Sequence, residues 1–283
     1  MLSATDVRTT KLPSGEAVPV LGQGTWGMGE GKHARDEEIK ALRLGIDLGM
    51  SLIDTAEMYG DGAAEQLVGD ATHGRRDDVF IVTKVLPQNA THTGTMAACE
   101  RSLRRLRTSY IDLYLLHWRE SVPLQETLDA FNALVDLGNI RSWGVSNFDV
   151  GDMEELVGLP TGDRVTTDQV LYNLTRRGIE YDLLPWCRDR NIPLMAYSPI
   201  EQGRMLDHPE LKRVASRHKV TPAQVALAWV LRQDRIIAIP KAGAPEHVRE
   251  NRAALDVHLT GGDLADLDRA FPPPTRKIPL ETL

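Results

Sequence analysis

Only two cysteines, Cys99 and Cys187, occur in the 283 residues. That is too few for a disulfide framework or a cysteine-based zinc site, and reduced thiols in a cytoplasmic protein are expected. No window approaches the ~18 uninterrupted apolar residues of a membrane span; even Ala223 to Leu231 is short and contains Gln224. The N-terminus, Met1-Leu-Ser-Ala-Thr-Asp-Val-Arg, lacks the apolar stretch of a signal peptide. Nor is there a long run of one charge sign. The 33 Lys and Arg against 40 Asp and Glu, a net of −7, are scattered along the chain, which argues against a nucleic-acid or anionic-membrane surface. With no repeat, low-complexity tract or Ser/Gly linker to mark a boundary, one domain over residues 1–283 is expected.

Several catalytic signatures are also missing. There is no Walker A sequence, no His-Glu-x-x-His and no Gly-x-Ser-x-Gly. Gly22-Gln-Gly24-Thr-Trp-Gly27 does match G-x-G-x-x-G, but the next helical pattern begins only near Asp36, whereas a dinucleotide fingerprint needs a helix opening at the glycines. No tyrosine is followed four residues later by lysine, so the short-chain dehydrogenase pairing is absent too.

What is present is an ordinary globular composition, 42% apolar and 26% charged, in a chain long enough for two modest domains or one α/β barrel. Short β-branched runs alternate with helical patterns throughout. Strands are expected over Pro19–Gly24, Ser51–Thr55, Val79–Lys84, Ile111–His117, Ile140–Asn147, Val165–Asn173, Pro193–Ser198 and Ile236–Lys241. Helical spacing of Ile39, Leu42 and Ile46 is closed by Gly49, and Thr221-Pro222-Ala223-Gln224 reads as a capped helix start. Eight strand-helix units predict a closed (β/α)8 barrel, a TIM barrel. Ahead of them, residues 7–20 around Pro13-Ser14-Gly15 read as a β-hairpin placed to close the barrel bottom. The tail, residues 271–283, opens Phe-Pro-Pro-Pro and is expected to be extended.

The strand ends carry the functional signal. In a closed barrel they emerge on one rim, where barrel enzymes place their chemistry. Here they present Gly24-Thr25, Asp54, Lys84, His117, Ser146-Asn147, Gln169, Tyr197-Ser198 and Lys241. Asp54, Lys84 and His117 each follow an apolar run, where an unpaired charge is costly. Taken alone, the aspartate reads as a turn residue, the lysine as a snorkelling surface residue and the histidine as a satisfied core group. Together with Tyr59 they suit a specific task. A phenol has an ordinary pKa near 10, an adjacent ammonium lowers it, Asp54 can hold Lys84, and His117 can hydrogen-bond a carbonyl oxygen. The set can protonate an oxyanion as it forms. It includes no nucleophile or metal, so electrons would arrive as hydride from a cofactor.

With these residues in view, the sequence closely resembles the aldo-keto reductase family, and most of all its short bacterial members that reduce methylglyoxal and similar small carbonyls. The matching motifs are Gly22-Gln-Gly24-Thr25-Trp26, Leu52-Ile-Asp54-Thr-Ala-Glu-Met-Tyr59-Gly60, Val82-Thr-Lys84, Asp112-Leu-Tyr-Leu-Leu-His117-Trp118, Gly144-Val-Ser146-Asn147-Phe148, Asp168-Gln169-Val-Leu-Tyr-Asn173, Ala196-Tyr197-Ser198-Pro199 and Ile239-Pro240-Lys241, in the family's order over nearly the whole chain. The resemblance implies a tetrad of Asp54, Tyr59, Lys84 and His117 with Tyr59 as general acid. It implies NADPH as cofactor, with NADH possible at lower affinity. Tyr197 would stack on the nicotinamide and Ser146, Asn147 and Gln169 would hold its carboxamide. The loop Ser198, Pro199, Ile200, Gln202, Gly203 and Arg204 would follow the pyrophosphate. Gly24, Thr25 and Trp26 would lie near the cofactor too. Lys241 would face the 2′-phosphate in a site that also holds Ala242 and His247, Pro240 and Gly243 would bind the cofactor nearby, and Glu250 and Asn251 would lie near the adenine. Independently of the resemblance, Pro245-Glu246 is a helix start beside Lys241, so free backbone N–H groups favour an anion there.

The chain departs from many relatives at Ala242 and His247, where serine and arginine are usual, and at Val85-Leu86-Pro87, which has no tryptophan after the lysine strand. The tail has no counterpart to the long C-terminal loop of the larger mammalian enzymes. An open pocket walled by Trp26, Tyr59, His117 and Trp118, a small carbonyl substrate and a monomer are therefore expected, with no nucleic-acid, membrane or metal partner. A different class of reading is a cofactor-binding regulatory or interaction module with weak or no turnover.

Overall fold

The computed structural model describes residues 7–283; residues 1–6, which opened the N-terminal stretch read for a signal peptide, lie outside the described residues. The described chain opens with an antiparallel hairpin of β1 (Thr9–Lys11) and β2 (Ala17–Pro19). Then follow β3 (Gln23–Gly24), α1 (Arg35–Asp47), β4 (Leu52–Asp54), α2 (Ala63–Thr72), β5 (Phe80–Val85), α3 (His92–Leu106), β6 (Ile111–Leu116), α4 (Leu124–Asp136), β7 (Ile140–Ser146) and α5 (Val150–Gly158). The second half continues with β8 (Asp168–Leu171), α6 (Leu183–Asp189), β9 (Leu194–Tyr197), α7 (Pro209–His218), α8 (Pro222–Leu231), β10 (Ile236–Ala238), α9 (Pro245–Ala253) and α10 (Gly261–Ala270). All eight stretches expected as strands form one. The connections are richer than simple alternation, because α7 precedes α8 and α10 follows α9.

The strands β3 to β10 pair in parallel in sequence order. The first and last also meet: Gly22 N–H donates to the Ala238 carbonyl, Gly24 N–H to that of Pro240, and Leu21 and Gly24 bridge Ala238 and Lys241. These contacts close the (β/α)8 barrel. A Cβ on Gly24 would stand 2.7 Å from the Ile239 carbonyl oxygen, so the closure itself requires glycine there. Two sequence signals for helices are realised as hydrogen bonds or dihedrals. Thr221 and Gln224 cap α8 reciprocally, and Gly49 beyond α1 takes a left-handed φ of 85°.

Period-2 alternation divides each strand between two cores. The residues facing outward pack under the helices. Those facing inward form a separate cluster of Leu52, Phe80, Val82, Leu113, Leu115, Met195, Ile237 and Ile239. Leu12 and Val18 from the hairpin join this inner cluster, so the hairpin closes the end where the strands begin. Two residues further along the same inward faces stand Asp54 after Leu52, Lys84 after Val82, His117 after Leu115, Tyr197 after Met195 and Lys241 after Ile239. The alternation that fills the barrel with aliphatic side chains thus delivers its polar ones to the opposite rim.

The tail beyond Phe271 has no helix or strand, as expected, yet it is tied down. Lys277 Nζ lies 3.3 Å from Asp182, Arg176 pairs with Glu281 at 2.6 Å, and Ile278 packs over Gly178. Among the described residues no helix is long and apolar enough to cross a membrane.

One cap offers a stability test away from the rim. Asp263 accepts from the Thr260 N–H and hydroxyl, and from His218 and Arg217, at the start of α10. Burial works to raise its pKa, but these partners outweigh burial and hold it down at about 2. Asp263→Ala is expected to cost roughly 1–2 kcal/mol, a fall in Tm of about 2–4 °C per kcal/mol, read by thermal melting. Because the folded pKa is depressed, the carboxylate stabilises above the unfolded value of 3.8 and its contribution is lost as pH falls towards about 2. The difference between variant and wild type should shrink through that window.

Candidate active site

Lys84, at the inward end of β5, is fully buried. Its three N–H bonds are all spoken for: 2.9 Å to Asp54 Oδ2, 2.8 Å to the Thr55 carbonyl and 3.2 Å to the Tyr59 hydroxyl. Asp54 is buried as well, and its other oxygen accepts from Gln169 Nε2 at 2.7 Å. Tyr59 arrives from the turn after β4, where its N–H donates to the Ala56 carbonyl. Since Lys84 donates to the phenol oxygen, the proton on that oxygen is directed elsewhere, towards the cavity that Tyr59 lines.

Electrostatics sharpen the assignment and correct one expectation. Burial raises the Tyr59 pKa above 10.0; Lys84 pulls the other way and does not overcome it. The expected lowering by the ammonium is present as a component, while the net direction is upward. Tyr59 therefore stays a neutral phenol with its proton. Burial raises the Asp54 carboxyl, against Lys84 and Gln169, which hold it down. For Lys84 burial acts to lower the pKa, and Asp54 and Tyr59 together outweigh it, so the ammonium stays charged. Burial and the Lys84 charge push His117 down to about 2. A neutral imidazole results, edge-on to Tyr59 with ring centroids 5.8 Å apart. Its Nδ1 meets no partner among the described residues.

Asp54, Tyr59 and His117 line a cavity of about 700 Å³. Gly24, Trp26, Asp54, Tyr59, His117, Trp118, Ser146, Asn147, Gln169, Tyr197, Ser198, Pro199, Ile200, Gln202, Gly203, Pro240, Lys241, His247, Glu250 and Asn251 all line it, as the sequence led us to expect. Five expected residues do not, the first being Lys84, fully buried behind the lining. Thr25 is fully buried behind the site, where its hydroxyl donates to the Asp54 carbonyl. Arg204 turns to Glu201 at 3.0 Å. Ala242 and Gly243 lie beside the lining, with a Cβ on Gly243 falling 3.1 Å from Lys241 Nζ. Met58, Leu206, Thr221, Pro222, Ala223, Ile239 and Leu283 line the cavity without having been expected. Met58 adjoins Tyr59 in sequence, and Thr221 to Ala223 had registered only as a helix start. Leu283 gave no signal at all. The pocket is accordingly less open than the short tail suggested, because the tail supplies part of its wall.

Around the nicotinamide end expected from the sequence, Asn147 takes a φ of 61° and ties three elements together. Its amide donates to the His117 carbonyl and the Ser146 hydroxyl, and it accepts from the Tyr197 hydroxyl at 3.0 Å. Gln169 donates from Nε2 to Asp54 at 2.7 Å and lines the cavity beside Asn147. At the far end Lys241 is half-buried and has no ion pair or hydrogen bond from its ammonium among the described residues. Beside it α9 starts at Pro245 with no side-chain cap, leaving backbone N–H groups for an anion. His247, also expected at the phosphate, pairs with Glu250 at 3.2 Å. Among the described residues no group of His, Cys, Asp and Glu could hold a metal ion.

Comparison with known proteins agrees with this geometry. The model of the Aldo/keto reductase family matches residues 20–271. Methylglyoxal reductase YeaE of Escherichia coli is 51% identical over 270 residues, 94% of this chain and 95% of that protein. Glyoxal reductase of Bacillus subtilis is 34% identical, over 92% and 91% respectively. An aldo-keto reductase from Klebsiella pneumoniae, solved in complex with NADPH, superposes with a TM-score of 0.96 at 50% identity, over 98% of this chain and all of that one. A closed barrel with an Asp-Lys-Tyr-His cluster on its rim, matched by sequence along nearly its whole length, places this chain in the aldo/keto reductase family.

Proposed function

We propose that the protein reduces small aldehydes and ketones, methylglyoxal-like 2-oxoaldehydes among them, to alcohols at the expense of NADPH. The observation that carries this is the Tyr59 hydroxyl: it accepts from Lys84 at 3.2 Å, keeps its own proton, and opens onto the cavity beside a neutral His117. NADPH, when bound, supplies the hydride to the carbonyl carbon. His117 donates a hydrogen bond to the carbonyl oxygen and orients it, and Tyr59 gives that oxygen its proton. Lys84, held by Asp54, stabilises the phenolate that remains. The residues fit the nucleotide, since an ammonium without ion pair or hydrogen bond among the described residues and an uncapped helix start mark one end of the cavity, and Asn147, Gln169 and Tyr197 line the other. The names of the Escherichia coli and Bacillus subtilis relatives support the substrate class. We take residues 1–283 as one working domain, active as a monomer, because every lining residue comes from this one chain.

The test is to mix the protein with NADPH and a panel of aldehydes and follow the absorbance of the reduced nicotinamide. Loss of absorbance with 2-oxoaldehydes supports the reading. Tight nucleotide binding with no turnover of any carbonyl compound would favour a nucleotide-binding regulatory module instead. Lys241 should set nucleotide choice. A charge-assisted bond to phosphate is worth about ten- to hundredfold in affinity, and Lys241→Ala is expected to erase most of the preference for NADPH over NADH in fluorescence titrations.

A further inference from the structure

Opposite sides of the cavity are joined by one guanidinium. Arg176 follows β8 and lines none of the cavity. Its Nη1 donates to Glu281 of the tail at 2.6 Å, while Nε and Nη2 reach Glu201 Oε1 at 3.3 and 3.2 Å. Glu201 is buried, and its second oxygen accepts from Asn173 at 2.8 Å. The loop it anchors is strained: Ser198, Glu201 and Gln202 have φ of 46°, 50° and 54°, a region unfavourable to any residue with a side chain. Such a loop keeps its shape because Glu201 is clamped. The tail beyond Glu281 carries Leu283 to the cavity wall, where its backbone interacts with the Tyr197 hydroxyl.

We propose that Arg176 is a positioning residue that sets the size of carbonyl compound the pocket admits. Through Glu281 it fixes the tail that presents Leu283 as a wall; through Glu201 it ties that wall to the loop expected along the nucleotide. Seating of nucleotide and closure of the wall then assist each other, and such coupling is reciprocal. This rests on the nucleotide and carbonyl reading of the cavity given above. An ion pair as exposed as Arg176 with Glu281 has little strength by itself, but here the guanidinium is already oriented by a buried carboxylate.

The experiment compares wild type with E281Q, R176K and R176M. Backbone hydrogen exchange of residues 277–283 is followed with and without NADP⁺, and kcat and KM are measured for methylglyoxal and for a two-ring aromatic aldehyde. In wild type NADP⁺ should slow exchange of the tail. E281Q should lose most of that slowing and raise kcat/KM for the large aldehyde relative to methylglyoxal by about three- to fivefold, through KM, with kcat for methylglyoxal nearly unchanged. R176M should do the same and also bind NADP⁺ more weakly, and R176K should restore part of both. If R176M does not fold, E281Q and R176K decide alone. An unchanged size ratio in E281Q, or tail exchange indifferent to NADP⁺ in wild type, would overturn the proposal. Absence of all turnover would count against the carbonyl reading, and the exchange arm would still test the link.

Discussion

Tyr59→Phe should lower the turnover of carbonyl reduction by roughly 10²- to 10⁴-fold, the usual worth of a positioned general acid, while NADPH affinity changes little. The ring keeps its volume, so its edge contact with His117 survives. What disappears is the one hydroxyl that Lys84 holds at 3.2 Å and whose proton faces the cavity. Stopped-flow turnover alongside nucleotide fluorescence titration separates the two effects. The pH profile adds a second check. Because burial raises the phenol pKa above 10.0, the proton is retained at neutral pH and reduction should decline only on the alkaline side. His117 stays neutral with a pKa of about 2, so no acidic limb near pH 6.5 should arise from it. A variant with wild-type turnover would exclude Tyr59 as the acid.

Lys84→Met should be as damaging to catalysis and far more damaging to stability. Removing the ammonium leaves Asp54 buried with one oxygen deprived of its partner, a change that typically costs about 3–5 kcal/mol. It also removes a charge that pulls the Tyr59 pKa down, so the alkaline limb of any residual activity should move upward. The double variant with Asp54→Asn separates the two consequences. With no carboxylate left to strand, most of the stability should return, whereas turnover should not. Recovery of turnover in the double variant would show that Lys84 acts only as a structural counter-ion.

The rim was readable in the sequence because a strand has period 2. Leu52-Ile-Asp54, Val82-Thr-Lys84 and Leu115-Leu-His117 each place a polar side chain on the face that their aliphatic predecessor turns to the barrel axis. Contacts across long separations have no such periodic trace. Gln169 meets Asp54 across 115 positions and Arg176 meets Glu281 across 105, and only the closed barrel brings either pair together. The direction of the Tyr59 shift was hidden for a related reason: the charge of Lys84 is visible in the chain, but the depth of burial that outweighs it depends on everything packed around the turn. His247 is different again. Its partner Glu250 lies one helical turn away, a spacing that predicts contact on a helix, and both residues also line the cavity.

The hairpin and the tail lie at opposite poles of the barrel, Leu12 and Val18 under its base and Leu283 at the mouth of the cavity. That polarity governs how the protein can be handled. A fusion partner or surface tether joined ahead of the hairpin is led off from the pole remote from the chemistry. An affinity tag appended after Leu283 begins at the entrance itself, where its first residues compete with the wall for space, so kinetic constants from the two formats are not interchangeable.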